Sequence, residues 1–233
     1  MVIKEHTMVN APSTHDFEVV DSRTLYEGAI LALRKDRVRM PGGTIATREV
    51  VEHSGAVAIV ALNEEMKVLL EYQYRHPTGR RLWEIPAGIL DIPGEKPLTA
   101  AQRELCEETS YAAEEWHVIA DTVTSPGFAD ESVRIFLARG IYSVDRPSPE
   151  EEEADMRLQW MPLSQAVQHI YSGEIVNNIA IAGILGAAYA LATNSVGMLR
   201  STDADWDTKA WRFAQRKGSV SYTHLTLPTS DLV

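Results

Sequence analysis

The sequence is poor in cysteine and in positive charge, and it has no long hydrophobic run. Cys106 is the only cysteine among 233 residues, so an internal disulfide is excluded and we expect a reducing, cytoplasmic environment. Lys and Arg total 22 against 33 Asp and Glu, a formal net charge of -11. Nucleic-acid binding needs a basic stripe, so we expect no nucleic-acid partner. The apolar stretch 179–192 is too short to span a membrane, and the polar residues 1–15 do not form a signal peptide. We therefore expect no membrane partner.

Residues 97–109 have the pattern of an acidic helix. Pro97 suits a first helical turn, and no helix breaker follows it within the segment. Glu104, Glu107 and Glu108 have i, i+3 and i+4 spacing, so their carboxylates share one face of the helix. Like charges at this spacing repel each other by about 0.2–0.5 kcal/mol per pair.

The segment before this helix decides between two interpretations of its acidic face. A solvated surface is the simpler interpretation, and an isolated acidic run would favour it. Here a strand-like stretch, 81–85, and a glycine-containing loop, 86–95, come first. A strand, a glycine loop and an acidic helix in series bring metal and phosphate to one place, and Mg²⁺ prefers carboxylate oxygens. The pattern therefore predicts a metal-dependent phosphate site.

The same residues carry a family resemblance. The series Glu95, seven residues, Arg103-Glu104-Leu105-x-Glu107-Glu108 resembles the box of the Nudix hydrolases, G-x5-E-x7-R-E-U-x-E-E-x-G-U. Gly88 lies one residue too far from Glu95 for the box spacing, which indicates an insertion near Pro93. Ser110 replaces a glycine that would end the helix in a left-handed conformation, so we expect a blurred helix end. Tyr111 replaces an aliphatic residue.

A longer resemblance narrows the family. Pro126 lies fifteen residues after Tyr111, where ADP-ribose pyrophosphatases carry a marker proline. Further stretches resemble the actinobacterial type of these enzymes from about residue 17 to residue 217: MPGG, TREVVEH, YQYRH, GRRLWEIPAG, PGFADESVR and EEADM. The resemblance implies hydrolysis of ADP-ribose to AMP and ribose 5-phosphate, with two or three Mg²⁺ ions, or Mn²⁺, in the site.

The resemblance also implies a set of metal ligands. They are the carbonyl of Ala87 and the carboxylates of Glu104, Glu107, Glu108 and Glu153. Glu107 could instead pair with Arg103, four residues earlier. Arg103 is otherwise expected to clamp Glu95 and so hold the loop to the helix.

A general base is still needed, because a glutamate already locked to metal is a poor one, and the resemblance implies that it comes from an acidic loop distant in sequence, here the run 150–153. The EEADM match favours Glu153, and Glu152 is the second candidate. A solvated loop is the competing interpretation of this run. With Glu108 and Arg103, these two glutamates complete the expected catalytic set.

Substrate binding is expected from five residues, Arg48, Arg75, Trp83, Phe128 and Glu131. By resemblance, the two arginines lie near the phosphates or the adenine, and Arg48 could reach across a dimer interface. The two aromatic rings offer stacking faces, although aromatic residues at strand ends more often belong to the core. Glu131 is a candidate for contacts with hydroxyl groups or the base.

The order of predicted elements indicates an α/β protein with a Nudix fold, a mixed β-sheet between helices, and an N-terminal antiparallel β appendage. Strand patterns lie at 17–20, 25–28, 29–40, 44–51, 55–62, 67–74, 116–124, 132–138 and 156–161, and helical patterns at 163–171 and 178–194. The predicted units are a flexible tail (1–16), an N-terminal sheet for dimerisation (17–53), the Nudix domain (54–217) and a non-native tail (218–233). A sheet this small is not stable alone, and similar proteins exchange N-terminal strands, so we expect a homodimer.

Two alternatives to ADP-ribose hydrolysis stay open. The substrate could be another nucleoside diphosphate sugar or a damaged nucleotide. The chain could also be a regulator of the Nudix type that senses ADP-ribose without cleaving it. The intact carboxylates argue against a regulator, as does the lack of a helix-turn-helix pattern or a basic patch.

Overall fold

Three β-sheets and four α-helices make up the part of the chain that the computed structural model describes, residues 15–145 and 155–219. The strands are β1 (Val19–Glu27), β2 (Leu31–Arg39), β3 (Ile45–His53), β4 (Ala56–Ala61), β5 (Lys67–Arg75), β6 (Arg80–Glu84), β7 (Ala87–Ile89), β8 (Tyr111–Val123), β9 (Ser132–Ser143) and β10 (Arg157–Pro162). The helices are α1 (Pro97–Thr109), α2 (Leu163–Tyr171), α3 (Asn178–Ala192) and α4 (Arg212–Ser219). None of these four helices has the length and apolar character needed to cross a membrane.

The central sheet has the strand order β7-β4-β9-β8, in which β4 and β9 are parallel and the other neighbours antiparallel. All six residues of β4 are buried, because helices cover both faces of the sheet. Val60 packs into a core that includes Ile184 of α3, whereas its neighbour Ile59 packs into a core that includes Leu105 of α1. The predicted mixed sheet between helices is confirmed.

The second sheet, β10-β5-β6, is antiparallel and has β5 at its centre. Val68 and Leu70 pack on the α3 side of the molecule and Leu69 on the α1 side. Glu71 comes next and is fully buried as well. This strand therefore carries a carboxylate into the interior of the protein.

The N-terminal sheet, β1-β2-β3, is antiparallel throughout. Every residue of β1 is exposed. The separate strands predicted at 17–20 and 25–28 are wrong, because β1 is one strand with irregular register at Val19/Asp21 and at Thr24/Tyr26. The predicted turn at 41–43 is confirmed, with φ of 89° at Gly42 and 87° at Gly43, a conformation that suits glycine.

Two boundaries near α1 differ from the sequence prediction. β8 begins at Tyr111 and not at residue 116, because Ser110 has a φ of 60° and turns the chain directly from the helix into the strand. β7 lies inside the predicted glycine loop, since residues 87–89 pair with β4. The bounds of α1 and α2 are as predicted.

The C-terminal residues return to the N-terminal sheet. Phe213 of α4 is 1% exposed, and the helix packs against β3. α4 continues to Ser219, two residues past the predicted domain boundary at 217. The N-terminal residues 1–14, the acidic run 150–153 and the C-terminal residues 220–233 lie outside the described part of the chain.

Candidate active site

The acidic helix α1 is fixed at its end and along its buried face. The N–H of Ser110 donates to the carbonyl of Cys106 at 3.0 Å while Ser110 holds the left-handed conformation. Leu105 is fully buried in the core that α1 shares with β4. The helix end is therefore sharp, and the predicted blurring is wrong, because the start of β8 at the next residue fixes Ser110.

Arg103 is the centre of an ion-pair network on this helix. Its Nε and Nη2 each donate to one oxygen of Glu95, both at 3.1 Å, and its Nη1 donates to Glu104 at 2.7 Å and to Glu107 at 2.9 Å. The hydrogen bonds to Glu95 are the main reason that the pKa of Arg103 is raised. Arg103 thus holds the loop to the helix. Glu107 pairs with Arg103, which is one of the two alternatives predicted for Glu107.

Two carboxylates of α1 meet the backbone of β7. The N–H of Ala87 donates to Oε2 of Glu108 at 3.1 Å. A Cβ atom at Gly88 would overlap the side chain of Glu104, so any larger residue would have to displace this carboxylate from its position beside the β7 backbone. Glu104, Glu108 and the Ala87–Gly88 backbone therefore lie together, as the sequence pattern predicted for strand, loop and helix.

The electrostatics of these two glutamates reflect their crowding. Burial raises the pKa of Glu104, and the neighbouring Arg103 only partly offsets it. The pKa of Glu108 is raised well above its ordinary value, first by burial and then by repulsion from Glu71 and Glu104. Burial and mutual repulsion therefore both disfavour the ionised forms of these two carboxylates.

Charged residues of β5, Glu71 and Arg75, act on Glu108, and Arg75 in turn pairs with Glu84 of β6. Arg75 donates to Glu84 with Nε at 3.1 and 3.2 Å and with Nη2 at 2.8 Å. Glu84 is 4% exposed and Glu71 is 0% exposed. Together the acid-rich cluster comprises Glu71, Glu84, Glu95, Glu104, Glu107 and Glu108 with Arg75 and Arg103.

The two predicted stacking residues have different surroundings. Trp83 lies against Tyr72, with ring centroids 4.7 Å apart and an interplanar angle of 39°, and it also packs on the hydrophobic core. Phe128 is 59% exposed. The phenyl ring therefore has an open face, whereas much of the indole is occupied by the protein's own residues.

The loop that carries Phe128 and Glu131 is docked on β3 of the N-terminal sheet. The N–H of Val51 donates to the Phe128 carbonyl at 2.7 Å, and the N–H of Asp130 donates to the Val51 carbonyl at 3.0 Å. Glu131 accepts from the hydroxyl of Thr124 at 2.6 Å and lies 3.3 Å from Nδ1 of His53. The residues 125–131 are thus held by the strand that also contains Arg48.

Arg48, the last predicted site residue among those described, is exposed on β3, where its Nη1 donates to the Thr47 carbonyl at 2.8 Å. Glu152 and Glu153 lie outside the described residues. Asp155, which follows them, forms an ion pair with Arg81 of β6.

Comparison with known families agrees with this architecture. Residues 52–178 match the model of the NUDIX domain, and residues 17–51 match the nucleoside diphosphate sugar hydrolase N-terminal domain. The chain belongs to the Nudix family. The expected resemblance is confirmed.

Relatives within the Nudix family extend the match beyond the box. The chain is 53% identical over 203 residues to the ADP-ribose pyrophosphatase of Mycobacterium tuberculosis (strain H37Rv), covering 87% of this chain and 97% of the relative. It is 34% identical over 167 residues to the methanol dehydrogenase activator of Bacillus methanolicus, covering 72% and 90%. A solved structure described as an ADP compounds hydrolase superposes with a TM-score of 0.67, covering 78% of this chain and 98% of the other. At 15% identity, that likeness supports the fold.

Nudix hydrolases generally use divalent metal ions, and the residues of this site fit one. Within residues 15–145 and 155–217, no three His, Cys, Asp or Glu side chains form a complete metal site by themselves. Mg²⁺ usually takes one or two carboxylates and fills its other positions with water or substrate oxygens. Glu104 and Glu108, which converge on the backbone of Ala87 and Gly88, match that requirement.

Sequence reasoning missed two members of this Nudix site, Glu71 and Glu84. Both interrupt strand segments that are otherwise strongly apolar, LLEYQY and LWEIP. A charged residue within a buried strand is rare, and it indicates a paired or functional group. This signal was present in the sequence, although it did not reveal which residues the two carboxylates would face.

Proposed function

We propose that this Nudix protein hydrolyses the pyrophosphate bond of ADP-ribose to AMP and ribose 5-phosphate, using Mg²⁺ or Mn²⁺. The observation that carries the proposal is the convergence of Glu104 and Glu108 on the Ala87–Gly88 backbone. It occurs in a chain that is 53% identical to a protein named ADP-ribose pyrophosphatase. The cytoplasmic location stays a prediction from the composition.

The carboxylates of Glu104 and Glu108 and the carbonyl of Ala87 are the proposed ligands of the metal. Two or three bound ions would neutralise the pyrophosphate oxygens and lower the pKa of a water molecule. Arg103 supports these ligands without being one of them. Its bonds to Glu95, Glu104 and Glu107 hold the helix and the loop in a fixed relative position. Preorganised ligands of this kind bind a cation without first having to reorder.

Glu153 is the proposed general base, and Glu152 is the second candidate. A glutamate in this run can accept a proton from the attacking water only if the run reaches the pocket. The ion pair between Asp155 and Arg81 supports such a position, because β6 also supplies Glu84 to the acid-rich cluster.

The other end of the substrate is proposed to lie between β5 and the 125–131 loop. Arg75 supplies positive charge beside Glu108, Phe128 offers an exposed ring for stacking, and Glu131 can accept hydrogen bonds from hydroxyl groups. Trp83 is a weaker candidate, because it already packs on Tyr72.

We further propose a homodimer formed through the N-terminal sheet, residues 17–53, by exchange of N-terminal strands. Both faces of β1 are exposed, including the hydrophobic residues Val19, Val20, Leu25 and Tyr26. Such a strand needs a partner surface to bury these side chains. Arg48, exposed on the same sheet, could then reach the site of the second subunit. Sedimentation of the enzyme at assay concentration tests this directly, and a fully active monomer would contradict it.

A second candidate is hydrolysis of another nucleoside diphosphate sugar. It is favoured by the match of residues 17–51 to the N-terminal domain of nucleoside diphosphate sugar hydrolases in general. The chemistry at the pyrophosphate would be the same, and only the contacts with the sugar and the base would differ.

One experiment separates the two candidates. The purified protein is incubated with Mg²⁺ and, in separate reactions, ADP-ribose, ADP-glucose, GDP-mannose and a damaged nucleoside triphosphate, and the products are resolved by chromatography. We expect AMP and ribose 5-phosphate from ADP-ribose, with the largest kcat/KM of the panel. A larger kcat/KM for another sugar would favour the second candidate, and no cleavage of any substrate would contradict both.

A further inference from the structure

The C-terminal strap, residues 199–217, lies beyond the two family matches, which together span residues 17–178. It is nevertheless tightly bound to the central sheet. The N–H of Val118 donates to the Arg200 carbonyl at 2.9 Å. Arg134, which is 2% exposed, donates to the carbonyls of Ala204 and Asp205 at 2.8 and 2.9 Å. The strap therefore follows the sheet closely and does not hang from it as a loose end.

From the central sheet the strap continues to the N-terminal sheet, where its last residues form part of α4. The N–H of Ala210 donates to the hydroxyl of Ser132 at 3.2 Å, and Phe213 is buried. One turn later, Nε and Nη2 of Arg216 donate to the two oxygens of Glu52 on β3, at 2.5 and 3.2 Å. Residues 164 positions apart in the sequence are thus joined by a two-pronged ion pair.

Glu52 belongs to a buried group of paired charges. It is 0% exposed, and its Oε1 also accepts from Arg34 of β2 at 2.6 Å. Arg34 in turn donates to Asp36 at 2.8 Å. We call Arg34, Asp36, Glu52 and Arg216 the matched cluster. Because α4 provides one of its two cations, the matched cluster ties the end of the strap to two strands of the N-terminal sheet.

The residues on either side of Glu52 in β3 bind the loop 125–131. Val51 exchanges backbone hydrogen bonds with Phe128 and Asp130, and the N–H of His53 donates to the Asp130 carboxylate at 3.0 Å. Alternate residues of a strand direct their backbone N–H groups to the same edge, whereas side chains project from the faces of the sheet. Val51 and His53 can therefore bind the loop while the side chain of Glu52 meets α4. A shift of β3 at Glu52 must therefore move the attachment of residues 128–131.

We propose that Arg216 is a positioning residue for substrate binding: it fixes Glu52 from α4, which sets β3 and with it the loop that carries Phe128 and Glu131. The inference rests on the proposed function, since those two residues are proposed there to contact ADP-ribose. The metal-binding carboxylates lie on a different element, α1, which is anchored by its own contacts with β4 and β7. Loss of the Arg216 contact is therefore expected to affect binding of the substrate and to leave the chemical step alone.

The test compares three variants of the full chain. R216A removes the pair, R216K keeps the charge but supplies a single point donor in place of the planar fork, and K209A removes an exposed charge of the strap as a control. With ADP-ribose and Mg²⁺, we expect R216A to raise KM about five- to tenfold while kcat changes less than about twofold. R216K should give a smaller rise, and K209A should match the wild type.

Hydrogen exchange supplies a second measurement that does not depend on activity. In R216A and, more weakly, in R216K, the amides of Val51, His53 and Asp130 should exchange faster, whereas amides of α1 and β4 should not change. If the wild type fails to cleave ADP-ribose, the proposed function fails, and the exchange measurement still decides whether Arg216 positions β3 and residues 128–131.

Three results would overturn the inference. The first is unchanged loop protection and unchanged KM in a folded R216A. The second is faster exchange in all regions together with an equal loss of kcat, which would indicate a merely structural role. The third applies if R216A does not fold: R216K would then be decisive, and loop exchange in R216K equal to the wild type would reject the positioning role.

Discussion

Two buried groups of charged side chains in this molecule are balanced in opposite ways. Among the residues that define it, the matched cluster has two guanidinium groups, Arg34 and Arg216, for two carboxylates, Asp36 and Glu52. Arg216 also lies 3.9 Å from the more exposed carboxylate of Glu27. The acid-rich cluster has six carboxylates for two guanidinium groups among the residues that define it. Both lie at junctions between elements, so burial alone does not distinguish them.

The difference appears in the direction of the pKa shifts. Burial alone would raise the pKa of Glu52, but hydrogen bonds from Arg216 and Arg34 outweigh it, and the pKa is lowered. For Glu108, burial and repulsion act in the same direction and the pKa is raised. A matched set of charges contributes to folding, whereas a surplus of one sign is typical of a site that awaits a ligand of the opposite sign.

The largest expected effect follows from neutralising one carboxylate of the acid-rich cluster. Glu108→Gln keeps the shape of the side chain and loses a proposed metal ligand, so we expect activity to fall at least about a hundredfold. The fold should survive, since the change also relieves repulsion from Glu71 and Glu104. Steady-state kinetics in saturating Mg²⁺ and thermal melting measure the two effects.

The control for this variant is Glu115→Gln, which neutralises a largely exposed carboxylate on β8. It should leave both activity and melting unchanged. Near-normal turnover of the Glu108 variant would show that Glu108 is not a metal ligand. The surplus of carboxylates in the acid-rich cluster would then have no demonstrated role in activity.

The next effect concerns the acidic run that follows residue 145. If Glu153 is the base, Glu153→Gln should lower kcat about a hundredfold and leave substrate affinity nearly unchanged. Glu152→Gln is the matched variant, because it neutralises the adjacent residue. If Glu152→Gln shows the loss instead, the assignment within the run is wrong by one position.

The matched cluster should contribute to stability at neutral pH and lose that contribution in acid. Glu52→Gln leaves Arg34 and Arg216 without this carboxylate, and breaking a buried pair costs about 3 kcal/mol. Because the pKa values of Asp36 and Glu52 are lowered by folding, their contribution is present above the unfolded values near pH 4 and is lost as the pH falls through the folded values. The stability difference between wild type and variant should therefore shrink below about pH 4.

Denaturant unfolding at a series of pH values measures this difference. Glu65→Gln is the control, because it breaks an exposed pair with Lys67, and exposed pairs contribute less than about 1 kcal/mol. A loss for Glu52→Gln that is equal at pH 7 and pH 3 would show that the matched cluster does not act through its charge.

The two clusters also differ in how far the sequence predicts them. The core of the acid-rich cluster is local, since Glu95, Arg103 and Glu107 lie within thirteen residues. Arg103 and Glu107 are four residues apart on α1, a spacing that brings their side chains together, and Glu95 lies in the short loop before the helix. The matched cluster is not local: Glu52 and Arg216 are 164 positions apart. No periodicity relates them, and their contact depends on the path of the strap across the central sheet.

The same distinction holds for the fold. The bounds of α1 and α2 follow from local signals, such as Pro97 at the first turn of α1 and the absence of breakers. The early start of β8 was missed because the sequence favoured a loose helix end at Ser110. Pairing of Tyr111 with Ser143 of β9 decides otherwise, and this contact is made only in the folded sheet.

The smallest expected effect concerns the backbone conformation at the end of α1 and not the charges on the helix. Ser110 has φ of 60°, where a side chain with a Cβ atom is strained, so Ser110→Gly should stabilise the protein by about 1 kcal/mol. For a chain of this size, that corresponds to a rise in melting temperature of about 2–4 °C. Asn194→Gly is the matched control, because Asn194 has a similar φ of 53° but asparagine tolerates the left-handed region better than serine. The gain in stability from Asn194→Gly should be smaller.

The activity of Ser110→Gly should equal that of the wild type, because the acid-rich cluster keeps all its charges. A lower melting temperature would mean that the extra flexibility of glycine in the unfolded chain outweighs the relieved strain, and that α1 depends on its charge network more than on its backbone.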